Sequence, residues 1–121
     1  SMSSIYFACN WLGIDNLVTK SLIPKSTTTP IAIEISNTLG GIPALTVAAV
    51  IVTGTLGSIL FPLIIKVFKM DNSIASGIAI GTASHALGSA KAVEIGEVEA
   101  AMSGIAVGVA GIASVIMVLL L

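Results

Sequence analysis

Charge is the scarcest thing in this sequence. Only 9% of its 121 residues are Asp, Glu, Lys or Arg, against about 25% in ordinary soluble domains. With 55% hydrophobic residues and a mean hydropathy of +1.09, that shortage excludes a water-soluble globular domain and points to the membrane. A net charge of −1, with no basic cluster or aromatic platform, excludes nucleic-acid binding. Aromatic residues are few, three Phe, one Trp and one Tyr, whereas glycine reaches 12, so packing must rely on close backbone approach. The single cysteine, Cys9, cannot form an internal disulfide and reads as a small buried hydrophobe. One His and one Cys at unrelated positions lack the clustered ligands zinc needs, so neither metal nor cofactor is expected. Residues 1–14 have no positive n-region and no small-residue cleavage site follows them, so that stretch is not expected to act as a signal peptide. Residues 3–12 read instead as the end of a membrane helix, and the chain as a fragment of a longer protein, with residues 1–121 forming one transmembrane domain.

What is present is apolar length with two polar interruptions. Residues 44–65 and 100–121 carry no charge, and each stretch of 22 residues meets the roughly 20 needed to cross a bilayer. Before the first, Gly13 ends the opening helix and Asp15-Asn16 caps a short one running to Ile23, with Lys20 facing the headgroups. Pro24 stops that helix. The run Lys25-Ser26-Thr27-Thr28-Thr29-Pro30 follows, and a new helix starts at Pro30, capped by the Thr29 hydroxyl and ended by Gly40-Gly41. Pro62 is placed to kink the first span. Asp71 or Asn72 caps Ser73 to Ile80, the polar run Gly81 to Lys91 interrupts the helix, and helical spacing resumes over residues 86–95.

Paired discontinuous hydrophobic segments point to a transporter-type site, because unwound backbone and half-helix ends near the midplane hold ions and small anions. A short echo, Ala32-Ile33-Glu34-Ile35 and Ala92-Val93-Glu94-Ile95, lies beside each interruption. The expected architecture is all-α, a multi-pass transmembrane protein with two broken helices. If each interrupted segment crosses once, Lys20, Lys25, Lys66 and Lys69 lie on one, cytoplasmic, side and Gly40-Gly41 with Glu94, Glu97 and Glu99 on the other. Two small-residue faces, Gly77 to Gly81 and Gly104 to Gly108, read first as internal helix contacts and second as oligomer contacts.

Three motifs carry a family resemblance: Pro24-Lys25-Ser26-Thr27-Thr28-Thr29-Pro30-Ile31-Ala32, Gly40-Gly41-Ile42-Pro43-Ala44-Leu45-Thr46, and Gly81-Thr82-Ala83-Ser84-His85-Ala86-Leu87-Gly88-Ser89-Ala90-Lys91-Ala92. In order and spacing they resemble the LrgB/CidB membrane proteins, called antiholin-like or holin-like, with relatives fused in a plastid glycolate/glycerate translocator. The resemblance implies that the chain is the C-terminal half of a bacterial inner-membrane protein that modulates murein hydrolase activity and autolysis beside a smaller LrgA/CidA-type partner. It also implies movement of small monocarboxylates such as glycolate, glycerate or pyruvate. A homo-oligomer that acts without a transported substrate is the competing expectation.

The candidate substrate-binding residues are Ser26, Thr27, Thr28, Thr29, Ser84, His85, Ser89 and Lys91. His85 could carry a coupled proton or donate to a carboxylate, or simply join two helices by a hydrogen bond. Lys91 could pair with a bound carboxylate, or snorkel near Glu94. The hydroxyls of residues 26–29 could cradle an anion at the positive end of the Pro30 helix, or serve helix packing. Glu34, a charge in an apolar segment, is a second candidate for proton or ion coupling; it could equally be the partner of Lys91 or line an inert cleft. Catalysis is not expected: Ser84 and His85 are adjacent, point in different directions on a helix, and have no acid to complete a triad.

Overall fold

The computed structural model describes residues 2–120, and among these it contains helices and turns but no strand. Six α-helices follow in order: α1 Met2–Trp11, α2 Asn16–Leu22, α3 Thr29–Leu39, α4 Pro43–Phe68, α5 Ser73–Ile95 and α6 Glu97–Leu119, with a 3-10 turn, Ile23–Ser26, after α2. Among the described residues, only α4 and α6 are long and apolar enough to cross a bilayer. They leave Ile59, Leu63, Val67, Ile105, Val109 and Ile112 exposed. A core helix of a soluble protein would bury such a face; here it is available to lipid.

Local chemistry explains most boundaries. Gly13 and Gly40 take positive φ where α1 and α3 end, a conformation glycine adopts without a Cβ penalty. Asn72 caps α5 through its side chain, Oδ1 accepting from the Ala75 N–H at 3.0 Å. Other caps differ from expectation. Asp15 and Thr28, not Thr29, are the N-cap residues of α2 and α3, and neither side chain makes a cap hydrogen bond. Pro30 sits in the first turn of α3 as expected. The helix α4 continues through Pro62 as one element of 26 residues.

The two interrupted segments are hairpins. In α5, His85 has φ 52° and ψ −135°, and the chain reverses there. Ile80 and Ala92 share one apolar cluster with Phe61, although twelve residues of straight helix would hold them about 18 Å apart. Gly88 approaches so closely that a Cβ on it would lie 2.6 Å from the Ile80 carbonyl oxygen. The return arm, residues 86–95, therefore lies back along the outbound arm, residues 73–84, and only glycine at 88 permits that approach.

The same reversal occurs earlier, between α2 and α3, where Thr27 and Thr28 are extended after the 3-10 turn. The far end of α3 returns to α2: a Cβ on Gly41 would lie 3.0 Å from the Ser21 N. This hairpin is fastened to α4 by buried hydroxyls. Thr46 Oγ1 donates to the Ser21 carbonyl at 2.7 Å and meets Ser36 Oγ at 2.8 Å, while the Ile42 N–H donates to Ser21 Oγ at 2.7 Å. Ser21, Ser36 and Thr46 are fully buried, so bonding within the cluster removes the cost of desolvating them.

These reversals correct the once-crossing scheme. Lys20 and Ser21 lie beside Gly41, not across the membrane from it. The outbound arm of α5 runs beside α6 in the same direction, Gly77 facing Glu99 and Gly81 facing Ser103. Lys66, Lys69 and the acidic residues Glu94, Glu97 and Glu99 accordingly share one end of the molecule. A helical period carries no information about direction, so a hairpin and a span look alike in sequence.

Candidate functional site

Both hairpin tips pack on α4, the second of them near its middle. Ser84 packs directly on Gly57, Leu87 packs on Gly54, and the 3-10 turn Ile23–Ser26 contacts both α4 and α5. In a helix about 39 Å long, Gly54 and Gly57 are close to the midpoint. One tip enters from the end that carries Lys20 and Gly41, the other from the end that carries Lys66 and Glu97. The two broken elements meet, as the paired interruptions suggest.

At the second tip two polar side chains have no partner among the described residues. Ser84 Oγ and His85 Nε2 are buried without a hydrogen bond, and Ser84 and His85 are 1% and 4% exposed. Leaving such atoms unpaired costs about 1–3 kcal/mol each. The backbone at His85 adds to this: positive φ with ψ near −135° is uncommon for any residue with a Cβ and costs of order 1–3 kcal/mol. Polar atoms and strain of this kind persist at ligand clamps and switch regions.

The first tip supplies a charge that the sequence alone places at the surface. Lys25 lies in the 3-10 turn, is half-buried, makes no ion pair among the described residues, and lies within electrostatic reach of the His85 ring. Its signal is present in the sequence, a lysine inside a hydroxyl-rich run bounded by Pro24 and Pro30. Beside it the first turn of α3 has no side-chain cap, so its N–H groups and positive dipole end face the tip region.

The other expected residues divide by their partners. Thr27 Oγ1 is buried and donates to the Pro24 carbonyl at 3.0 Å, closing its own turn. Ser26, Thr28 and Thr29 are half-buried around it. Ser89 Oγ donates to the His85 carbonyl at 3.2 Å and lies 2.7 Å from Ser103 Oγ, linking the return arm to α6. Lys91 is farther down that arm, paired with Glu94. Glu34 is therefore not the partner of Lys91. It is exposed and lines a groove of about 350 Å³ with Pro30, Ile31, Thr38, Val115 and Leu119. Of the two small-residue faces, Gly77 and Gly81 pack on the α6 backbone, but a Cβ added to Gly104 or Gly108 would meet no atom within 4 Å. The second face is thus open and not an internal contact.

Comparison with known proteins adds the lineage. A family model described as the LrgB-like family matches residues 1–121. The chain is 44% identical over 118 residues to the antiholin-like protein LrgB of Bacillus mycoides (strain KBAB4), covering 98% of this chain and 51% of that protein. It is 43% identical over 118 residues, with the same coverage, to the proteins of that name from Bacillus cereus (strain B4264) and Bacillus anthracis (strain CDC 684 / NRRL 3495). The chain spans about half the length of these relatives. No solved structure matches it significantly.

Proposed function

The chain belongs to the LrgB-like family, and we propose that it forms the substrate-handling part of a membrane carrier for small monocarboxylates of the glycolate, glycerate or pyruvate class. By moving such acids, the whole protein would modulate murein hydrolase activity and autolysis, the role that an antiholin-like name carries. One observation supports this reading above the others: the strained reversal at His85, with its unpartnered Nε2, lies beside the oppositely directed tip at the middle of α4. Opposed hairpins meeting at mid-depth supply exposed backbone and positive helix ends for an anion. Rocking one hairpin relative to the other would open the site to alternate sides. A protein that acted only by packing copies together would have no use for buried, unsatisfied polar atoms at its centre.

The test is uptake of labelled glycolate and pyruvate into proteoliposomes containing the full-length protein, with and without a pH gradient. Gradient-dependent uptake that falls at least about tenfold in His85→Ala, a loss of about 1.4 kcal/mol in transition-state stabilisation, supports the carrier. No uptake above empty liposomes by a folded wild-type protein refutes it for these acids. A second reading is an oligomeric, holin-like regulator without a transported substrate. It is favoured by the open Gly104 and Gly108 face on α6, which suits close helix association. Unchanged lysis control in a carrier-dead His85 variant would select it.

A further inference from the structure

The geometry points to Lys25 as the residue that holds the anion, and to a ligand with a single negative charge. This assignment rests on the carrier reading above. Lys25 is the one charged side chain in the two tip segments, residues 23–28 and 84–88. The nearest charges along the hairpin arms are used or directed elsewhere: Lys20 lines a separate groove with Met2, Tyr6 and Phe7. Glu94 pairs with Lys91, and Glu34 lines the groove between α3 and α6.

A half-buried lysine without a counter-charge is free to hold an anion through charge-assisted hydrogen bonds. The surroundings add donors and no acid: the uncapped first turn of α3 and the buried, unpartnered His85 ring nitrogen. One positive charge among neutral donors is balanced by a monoanion. A dianion leaves net negative charge at mid-depth, and a cation is repelled by Lys25. In the site as assigned, the carboxylate lies between the Lys25 ammonium and the His85 ring, each donating one charge-assisted or neutral hydrogen bond. Lys91, which the sequence offers for this role, remains in its pair with Glu94.

The experiment is thermal unfolding of the purified full-length protein in detergent, titrated with glycolate, pyruvate, chloride or succinate. Glycolate is expected to stabilise the wild type and Lys25→Arg. Lys25→Met and Lys25→Gln should need at least about tenfold more glycolate for the same shift, equivalent to about 1.4 kcal/mol of binding. Lys20→Met serves as a charge-loss control and should respond as wild type. The midpoint of each variant without ligand reports whether it folds, and the glutamine variant covers the case in which methionine does not. If both neutral variants respond at wild-type concentrations, the assignment to Lys25 is overturned while the carrier reading stands. If the wild type responds to succinate as strongly as to glycolate, the single-charge argument is overturned. If it responds to none of the anions, both this inference and the carrier reading fail.

Discussion

Replacing His85 with alanine and with glycine separates the backbone contribution of this residue from that of its ring. Both variants lose the imidazole, so burial and hydrogen-bonding terms are common to the pair. What differs is the Cβ. At φ 52°, ψ −135° a non-glycine residue is strained by about 1–3 kcal/mol, whereas glycine is not. Glycine in turn loses more freedom on folding, by about 0.4–1 kcal/mol. At the midpoints of these two ranges the difference makes His85→Gly more stable than His85→Ala by about 1.3 kcal/mol. Equilibrium unfolding in mixed detergent micelles measures it. Equal stability, or a more stable alanine variant, would mean that residue 85 has ordinary backbone dihedrals and that the reversal is not where it has been placed. The glycine variant carries a second expectation, that it regains stability without regaining uptake, since the ring is gone.

Other consequences are as direct. In a Cys9→Ser background, Ile80→Cys with Ala92→Cys should crosslink with a short bifunctional reagent, because both side chains belong to one cluster; a straight helix would hold them about 18 Å apart and give no product. Gly81→Ala should cost roughly 1–3 kcal/mol in thermal or detergent unfolding, since its Cβ would lie 2.5 Å from the Ser103 carbonyl oxygen. The same change at open Gly104 should stay within about 0.5 kcal/mol. Cysteines at positions 71 and 97 should react with a membrane-impermeant maleimide from one side of sealed vesicles, and a cysteine at position 37 from the other. Labelling of 71 and 97 from opposite sides would restore the once-crossing topology.

The parts of the fold legible in the sequence are those written in residue type. Uninterrupted apolar length marks α4 and α6, glycine and proline mark the breaks, and Asn72 marks a cap that the structure contains. The direction of the chain after each break is not legible. It depends on one unusual backbone conformation at His85, a residue with no intrinsic preference for reversal, and on Gly88 fitting against Ile80. Those are contacts between residues a helical period treats as unrelated. The site is legible in its polar residues but not in its charge. Lys25 reads as a surface lysine because it lies between prolines in an apparent loop, and only the meeting of the two tips brings it within reach of His85. The hydroxyl cluster of Ser21, Ser36 and Thr46 leaves no signal beyond small polar residues in apolar helices.

A hairpin with both feet on one surface also changes what the cell must do to insert it. Had residues 73–95 been a span, the translocation machinery would have carried Glu94, Glu97 and Glu99 through the hydrocarbon to the far compartment. As a re-entrant loop, the segment would enter from the side that carries Lys66 and Glu97, after its neighbours α4 and α6 are in place. The acidic residues then never leave that surface. Assembly of these helices can therefore proceed in two stages, spans first and loops second, with the weakly apolar, glycine-rich segment entering only when protein, and not lipid, is there to receive it.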